Sequence, residues 1–446
     1  MNVVLLIALT VLVKAVGSFA PESANAAAVA LAVGFLLIAG FFAGKIFKDL
    51  GLPKLTGYLA AGIVFGPELM DVVSAPVLRS LGVFKGVAVS LLALTAGLEM
   101  HLPTIRPLLR SVGWIMAIAV LGTIVLLTVT ALAAQDMLPF FGPLDAAQTI
   151  AVAIVLGICT SAQSPAVAVA VRDETAADGP MVKTMLAVVV FADLVVIVLF
   201  AIATTLAQSV FGASTDALAT AASLGWHVGG SIAVGVVIGF LVALFVGRIE
   251  GAHALFIGAI AFVIAEVGER LHLDPLVVSL AAGIVIRNLS SVADRVHHAV
   301  EAAGYPVYIA FFAIAGAGVH LHALALFVLP ALLIVVVRAS GFFVGTRVAA
   351  RLAGSPDTVR RYGAFGLMPQ AGLALALAAL FRESFPMLGS DAGDLVFSVV
   401  ALNEMIAPIA WRVAILKSGE AGQLTPDPTA QGASAARAPE AAATGE

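Results

Sequence analysis

The sequence is poor in charged residues and has almost no cysteine. Only 11% of its 446 residues are Asp, Glu, Lys or Arg, whereas a typical soluble domain has about 25%. The single cysteine, Cys159, excludes an internal disulfide framework and metal clusters built from several cysteines. No glycine-rich phosphate loop, zinc-ligand spacing or nucleophile elbow stands out in the sequence. We therefore expect no cofactor, no nucleic-acid partner and no enzymatic activity.

What the chain does have is long apolar runs: 61% of its residues are hydrophobic, and its mean hydropathy is +1.10. At ~20 residues per membrane span, it is predicted to be an all-α polytopic membrane protein with about thirteen transmembrane helices. The predicted segments are Ala26–Phe47, Leu55–Met70, Phe84–Glu99, Gly113–Ala134, Thr149–Val171, Met185–Ser209, Val228–Val246, Ala252–Val267, Pro275–Ile286, Pro306–Val319, Leu324–Ala349, Tyr362–Leu380 and Leu395–Ile415.

The two ends of the chain differ from this middle part. Residues 1–25 are apolar but contain Lys14, and both a signal peptide and a fourteenth helix fit them. Residues 26–417 are expected to form one transmembrane domain. Residues 418–446 are mainly Ala, Gly, Pro, Thr and Glu without periodicity, which is typical of a disordered tail.

Basic residues are distributed unequally between alternate loops, and cytoplasmic loops are normally the ones rich in Lys and Arg. One side holds Lys45, Lys48, Lys54, Arg106, Arg110, Arg172, Lys183, Arg248, Arg287, Arg295, Arg347, Arg351, Arg360, Arg361, Arg412 and Lys417. The other side holds only Arg79, Lys85, Arg270 and Arg382. The asymmetry predicts that the C-terminus, including the tail, is cytoplasmic.

A short internal sequence repeat indicates a duplicated architecture. The letters LAAGIV of residues 59–64 recur at residues 280–285, and Ala96-Gly97 recurs at the same offset as Ala317-Gly318. An odd number of spans separates the two copies, so the second copy is inverted in the membrane. This pattern predicts inverted repeats.

Two predicted spans are interrupted in their apolar sequence. The first break, at residues 159–166, contains hydroxyls, an amide and Pro165, which lacks an N–H; the second, at residues 366–372, contains Pro369, Gln370 and Gly372. Broken helices at membrane depth are tolerated where they line a cavity or are buried in protein. Two breaks in corresponding positions of the repeats predict crossing broken helices around a midplane substrate site.

Asp193 lies in the apolar run that follows the first break. An ionised carboxylate in hydrocarbon costs several kcal/mol, so we expect this group to be supplied with water, a cation or a proton. Asp193 is therefore the main candidate for binding a proton and a metal ion. Thr160, Gln163 and Ser164 at the first break and Gln370 at the second add oxygen ligands that suit a small alkali cation.

Three of the other charged residues in the predicted spans are candidates for a role at the site. Arg338 fits a counter-charge for a nearby carboxylate better than a side chain that reaches out to the interface. For Glu404, structural and functional roles are equally compatible with the sequence. Glu99, at the end of its span, is more typical of an interfacial ion pair, although it is also a possible accessory acid.

With these residues identified, the sequence resembles the monovalent cation:proton antiporter superfamily, above all the branch with bacterial Na⁺/H⁺ antiporters and Kef-type membrane domains. The resemblance rests on residues 57–62 (GYLAAG) with Gly66-Pro67, residues 96–99 (AGLE), Ser164-Pro165, the span of Asp193, Arg338, and residues 370–372 (QAG). It extends from about Leu52 to Leu416.

The resemblance implies a thirteen-helix protein of the cell (inner) membrane, with a panel for homodimer formation and a core that moves to alternate access. It also implies that Asp193 binds a proton and Na⁺ or K⁺ in turn, and that Arg338 occupies the place of the family's basic residue. Two positions depart from the family pattern: Ala192 stands where many relatives have Asn or Asp, and Gln163 replaces a common hydroxyl. Arg338 is therefore expected to face Asp193 directly.

We expect secondary active transport by alternating access, in which one carboxylate trades one proton for one monovalent cation without net charge movement. A proton-coupled carrier of another solute is an alternative, because Gln163 and Ala192 depart at the ion site. A cation channel or facilitator is a second alternative, but the sequence has no obvious selectivity filter or nucleotide-binding gate.

Overall fold

The computed structural model describes residues 10, 26–212, 225–249, 251–271, 273–319 and 321–423. Apart from Thr10, the predicted N-terminal segment 1–25 lies outside the described residues, and so does the tail beyond Gln423. The proposals for these two segments, including the fourteenth helix, stay predictions.

The described chain folds into helices joined by short loops. The first eight helices are α1 (Ala26–Asp49), α2 (Lys54–Phe65), α3 (Ala75–Ser80), α4 (Gly82–Glu99), α5 (Leu102–Ala133), α6 (Ala146–Ser161), α7 (Pro165–Glu174) and α8 (Pro180–Val210). The others are α9 (Trp226–Arg248), α10 (His253–Leu271), α11 (Pro275–Leu289), α12 (Ala293–Ala317), α13 (Leu321–Ala353), α14 (Asp357–Tyr362), α15 (Gly372–Ser384) and α16 (Asp391–Ser418).

These helices confirm the all-α prediction and the order of the predicted spans. Among the described residues, eight helical segments are long and apolar enough to cross a membrane, with α6 and α7 counted as one segment. Four shorter apolar helices lie in α2, α4, α10 and α11. Together with the interrupted pair α14 and α15, they match the thirteen predicted segments one for one.

Alternate helix ends define the two ends of the bundle. We call the end with Glu99, Glu174 and Ser418 the inner end, and the end with Phe65, Ala317 and Ser384 the outer end. Three helices, α6, α7 and α11, begin at a residue whose side chain accepts free N–H groups of the first turn. For example, Asp145 and Gln148 form a reciprocal capping box at the start of α6.

The helices pack in two groups. In the first group, α2 packs on α1 and α12, and α4 packs on α10, α11 and α12, with α9 against α11. In the second group, α6 packs on α5 and α8, while α13 packs on α5 and α16, and α15 on α16. An apolar core lies within each group, and a further core joins the two where α4, α7 and α8 meet.

The inverted repeats are visible in the way that equivalent glycines pack. Gly62 of α2 lies against the backbone of Ala313 and Ala317 in α12, whereas its repeat equivalent Gly283 of α11 lies against Gly97 in α4. A Cβ at either glycine would collide with backbone atoms, so each crossing depends on the absence of a side chain. The duplicated letters therefore mark two reciprocal close crossings in the first group.

Candidate functional site

The first broken helix has the interruption that the sequence predicts. Helix α6 ends at Ser161 and α7 begins at Pro165, with Ala162 and Ser164 in extended conformations between them. The Ser164 Oγ accepts a hydrogen bond of 3.2 Å from the Val167 N–H and so caps α7. Proline at the first helical position leaves no free N–H there. The break thus separates two half-helices with their ends directed into the protein.

The second broken helix confirms the other predicted interruption. A 3₁₀ turn at Gly363–Leu367 leads into four non-helical residues, 368–371, and α15 then begins at Gly372. The Gln370 Nε2 donates a hydrogen bond of 3.0 Å to the Thr160 carbonyl of the first break. Pro369 precedes this glutamine in the unwound stretch. The two breaks are therefore in contact with each other.

Arg338 on α13 binds both breaks through backbone carbonyls. Its guanidinium donates to Ala162 at 2.8 Å, to Met368 at 2.7 Å and to Leu367 at 3.2 Å. These oxygens lie at or just beyond the C-terminal ends of interrupted helices, where the helix dipole is negative. Arg338 is only 1% exposed, so carbonyl dipoles rather than water stabilise its charge.

This geometry corrects the predicted role of Arg338. We expected the guanidinium to face Asp193, but in the described chain it forms no ion pair with that carboxylate, and its hydrogen bonds go to the backbone of the breaks. The physical reason is that two unwound segments leave several buried carbonyls without helical partners, and the five N–H donors of an arginine can satisfy them together. Arg338 is a scaffold for the breaks rather than the direct partner of Asp193.

Asp193 lies on α8 beside the first break and is fully buried. It lines a small cavity of about 20 Å³ together with Gln163, Ser164, Pro165 and apolar side chains of α4, α11 and α12. Neither carboxylate oxygen makes a hydrogen bond to any described residue. Because buried polar atoms are normally hydrogen-bonded, such a carboxyl indicates a place where another group, a proton or a cation, binds.

Two glutamine side chains, one at each break, have further acceptor oxygens. Gln163 donates from Nε2 to the Ser161 carbonyl at 2.7 Å, and Gln370 donates from Nε2 to the Thr160 carbonyl. These bonds fix which end of each amide faces the backbone. Both Oε1 atoms are buried and accept no hydrogen bond within the described chain. Gln163, which departs from the family pattern, therefore supplies a carbonyl oxygen in the same cavity as Asp193.

The hydroxyl of Thr160 has a local role. It donates to the carbonyl of Leu156 at 2.8 Å, one helical turn earlier, as buried Ser and Thr residues in membrane helices often do. Thr160 is nevertheless close to the site, because its backbone carbonyl accepts the hydrogen bond of Gln370.

Larger cavities approach the Asp193 cavity from both ends of the bundle. The outer one has a volume of about 1050 Å³ and shares Val89, Leu276, Phe311 and Leu373 with the walls around Asp193. The inner one, of about 670 Å³, shares Ala96 and Val190. Helices α4, α11 and α12 line the outer cavity at one end and the inner cavity at the other. The buried carboxyl thus lies between two opposed approaches.

The two candidate accessory acids lie in different cavities. Glu404 is 4% exposed and lines the outer cavity, away from the walls that surround Asp193. Glu99 lies at the inner cavity and pairs with Arg172 at 2.5 Å, which confirms the predicted interfacial ion pair. Neither acid lines the small cavity of Asp193.

Two residues near the site had no assigned role in the sequence. Asn403 donates from Nδ2 to the Met368 carbonyl at 2.5 Å and so supports the second break beside Arg338. Asp274 caps α11 by accepting from the Leu276 N–H at 2.8 Å, and it lines the outer cavity. Burial raises the pKa of the Asp274 carboxyl above its ordinary value, although its backbone hydrogen bonds and His227 act in the opposite direction. The Asp-Pro pair before an apolar run was the available signal for this cap.

Solved structures with the same fold are sodium proton antiporters. The structure of MjNhaP1 from Methanocaldococcus jannaschii at pH 8 superposes with a TM-score of 0.64 at 17% identity, covering 89% of this chain and 97% of that one. A second structure of MjNhaP1, from electron microscopy, gives a TM-score of 0.67 at 17% identity, covering 88% and 95%. These likenesses establish the fold.

Sequence comparison gives the family. The Na(+)/H(+)-K(+) antiporter GerN of Bacillus cereus is 25% identical over 390 residues, which is 84% of this chain and 93% of GerN. The family model described as sodium/hydrogen exchanger, transmembrane, matches residues 33–414, nearly the whole described helical bundle. The chain therefore belongs to the family of transmembrane sodium/hydrogen exchangers.

Proposed function

We propose that the protein exchanges protons for a monovalent cation, Na⁺ or K⁺, at Asp193. The observation that carries this proposal is a buried carboxylate that lines one cavity with Gln163. Among the described residues, neither oxygen of this carboxylate nor the Gln163 Oε1 has a donor. Oxygen acceptors without donors suit an alkali cation that has lost part of its hydration shell. The same carboxylate, once protonated, needs no cation.

Competition between the two ligands gives the coupling. A proton and a cation neutralise the same carboxylate, so binding of one excludes the other. The apolar walls around Asp193 disfavour a bare negative charge, and only a loaded site then moves between the outer and the inner cavity. Because one carboxylate serves both ligands, we infer one-for-one, electroneutral exchange by alternating access.

Alternation is supported by the positions of the cavities and of the breaks. Asp193, Gln163, Ser164 and both breaks belong to the second helix group, whereas α4, α11 and α12 of the first group form the opposite walls. Movement of one group against the other would join the Asp193 cavity to either approach without rebuilding the site itself. The site therefore travels as a unit in this proposal.

The names of the relatives support the choice of ions. MjNhaP1 is a sodium proton antiporter, and GerN is a Na⁺/H⁺-K⁺ antiporter. We propose the same two cations here, in a protein embedded in the lipid of the cell membrane with its inner end cytoplasmic. Basic residues in the last turns of α1, α9, α11 and α13 support this orientation. Homodimer formation is proposed from the family resemblance.

The test is purified protein in liposomes containing a pH-sensitive dye, challenged separately with Li⁺, Na⁺, K⁺ and Rb⁺. We expect Na⁺ or K⁺ to release protons, and we expect the initial rate to be unchanged when a K⁺/valinomycin potential is imposed during a Na⁺ challenge. A strong dependence on potential would refute one-for-one exchange. Cation flux without proton movement would refute antiport and favour a channel.

A further inference from the structure

Polar contacts join the two helix groups at the inner end of the bundle. Arg172 on α7 pairs with Glu99 on α4 at 2.5 Å. The Glu174 carboxylate, also on α7, accepts the Lys54 N–H at the start of α2 with both oxygens, at 3.1 and 3.0 Å. At the outer end, the same two groups line the cavity of about 1050 Å³. Polar contacts therefore join the two groups at the inner end, beside the inner cavity of about 670 Å³, which is smaller than the outer one.

Arg172 and Glu174 both lie on α7, the inner half of the first broken helix. We assign α7 to the second group because it continues α6 across the break and packs on α8 and α16, and its contacts with α4 and α2 then join the groups. Helix α7 begins at Pro165, directly beside Asp193, and ends at Glu174. A further hydrogen bond also joins the second group to the first: Arg412 of α16 donates to the carbonyl of Gly51, which precedes α2. Movement of the two groups apart at the inner end would separate these partners.

Arg172 and Glu99 each have another partner within their own helix group, so their ion pair can open. Arg172 keeps partners in its own group, because it bonds Asp173 at 3.0 Å and donates from Nε to the Ala177 carbonyl at 3.1 Å. Glu99 has His297 of α12, in its own group, at 4.0 Å. When the pair opens, Arg172 therefore keeps the carboxylate of Asp173, and Glu99 keeps His297, which is positively charged when it is protonated. The ion pair therefore has a closed and an open state, and a change in either helix group can shift the equilibrium between them.

From these contacts we propose that Glu99–Arg172 and Glu174–Lys54 form an inner latch, which opens once in each exchange cycle. It holds the arrangement seen here, which we call outward-facing because the larger cavity lies at the outer end. The latch rests on the proposed function, since it assumes that the site is exposed to the two cavities in turn. Glu99, Arg172 and Glu174 are positioning residues in this scheme: they select which cavity reaches Asp193 and do not bind the transported ion.

The first experiment measures apparent cation affinity from each side of the membrane in oriented liposomes. Weakening the latch by Glu99→Gln or Glu174→Gln depopulates the outward arrangement, so the KM for the outer cation should rise, by about 3- to 10-fold. The KM for the inner cation should fall, because binding at that face no longer has to open the latch. Asp357→Asn is the matched control, because Asp357 pairs with Arg360 at 2.8 Å within the second group. Equal changes on both faces, or none, would overturn the latch.

The second experiment locks the latch covalently. A Lys54→Cys/Glu174→Cys variant is treated with a reversible bis-methanethiosulfonate linker, and the native Cys159 is fully buried, so linker-treated unmodified protein is the reagent control. We expect exchange to fall about tenfold or more on linking and to return after reduction. A Ser111→Cys/Ser355→Cys pair joins residues of one group, whose hydroxyls lie 2.7 Å apart, and should exchange normally when linked.

The outcomes separate the two proposals. If the unlinked variants exchange protons for cations and linking Lys54→Cys to Glu174→Cys leaves the rate unchanged, the latch is refuted and the antiport function stands. If the unmodified protein shows no cation-dependent proton movement in the same liposomes, the proposed function itself fails.

Discussion

The two broken helices look alike in sequence but differ in what surrounds them. The first break places Gln163 and Ser164 in the cavity of Asp193, and the Gln163 Oε1 there has no donor in the described chain. The carbonyl of Met368 in the second break is bound by Arg338 and by Asn403. The glutamine of the first break lines the cavity of Asp193, whereas Gln370 of the second break is not among the residues that line it.

This difference shows that a break in a span indicates two separate things: a possible binding site, and backbone carbonyls that need donors from the protein. An unwound segment always releases backbone carbonyls, and these need donors whether or not a substrate binds there. Arg338 satisfies carbonyls of both breaks and thereby leaves the side chains around Asp193 free for a ligand. The side chains around Asp193 are thus assigned to ion binding, and Arg338 is assigned to the support of the breaks. Substitutions should affect these two roles separately.

The largest loss of exchange is expected for Asp193→Asn. The amide keeps the size of the side chain but cannot carry the negative charge that both ligands neutralise, so cation-induced proton release should fall at least ~100-fold. The expression level and thermal stability in detergent should stay close to those of the unmodified protein. An Asn variant with full exchange would remove Asp193 from the site and, with it, the central role of the first break.

Arg338→Met should damage folding as well as transport. The buried carbonyls of Ala162 and Leu367 would lose their donor, while that of Met368 would keep Asn403, and each unsatisfied group costs about 1–3 kcal/mol. We expect a melting temperature lowered by several degrees in a thermal scan of the detergent-solubilised protein. Arg338→Lys keeps the charge but not the planar set of donors, so its melting temperature should lie between those of the Met variant and the unmodified protein. If Met and Lys variants both melt like the unmodified protein but lose exchange, Arg338 acts on the ion and not on the breaks.

Gln163→Ala and Gln370→Ala compare the two breaks directly. Loss of the Gln163 Oε1 removes one proposed cation ligand, so the cation KM should rise by about 5- to 10-fold, corresponding to roughly 1 kcal/mol of binding. Gln370→Ala removes the hydrogen bond to Thr160 that joins the breaks, and it should lower thermal stability more than Gln163→Ala does. The reverse ranking, with Gln370 dominating the cation KM, would place the ligands at the second break.

Much of the fold was predictable because its signals are local. Apolar length gave the thirteen segments, and proline with polar neighbours gave both breaks, at residues 162–164 and 368–371. The repeated letters also marked real equivalents, since Gly62 and Gly283 make reciprocal helix crossings. The segments and the breaks depend on residues close together in the sequence, and the repeat is found by comparing two such short stretches.

The partners of the site residues were harder to predict, because they depend on how distant helices cross. Arg338 was expected at Asp193, since opposite charges attract, but 176 residues separate it from Ala162, whose carbonyl it binds. No periodicity shows that buried carbonyls will compete for a guanidinium. The contact of Glu174 with Lys54, 120 residues away, was missed for the same reason. The sequence identified the residues, and the three-dimensional fold assigned their partners.

The smallest effect is expected at Thr160, whose hydroxyl seemed a natural cation ligand. Its hydrogen is donated to the Leu156 carbonyl, and the contact that links it to the second break uses its backbone oxygen, which a substitution does not remove. Thr160→Val keeps the shape and should change the cation KM by less than about twofold, well below the change for Gln163→Ala. Both variants are measured in the same liposomes, with Thr160→Ser as the conservative control. If Thr160→Val raised the KM as much as Gln163→Ala while Thr160→Ser did not, the hydroxyl would be a ligand, and the first break would contribute both of its half-helices to the cation site.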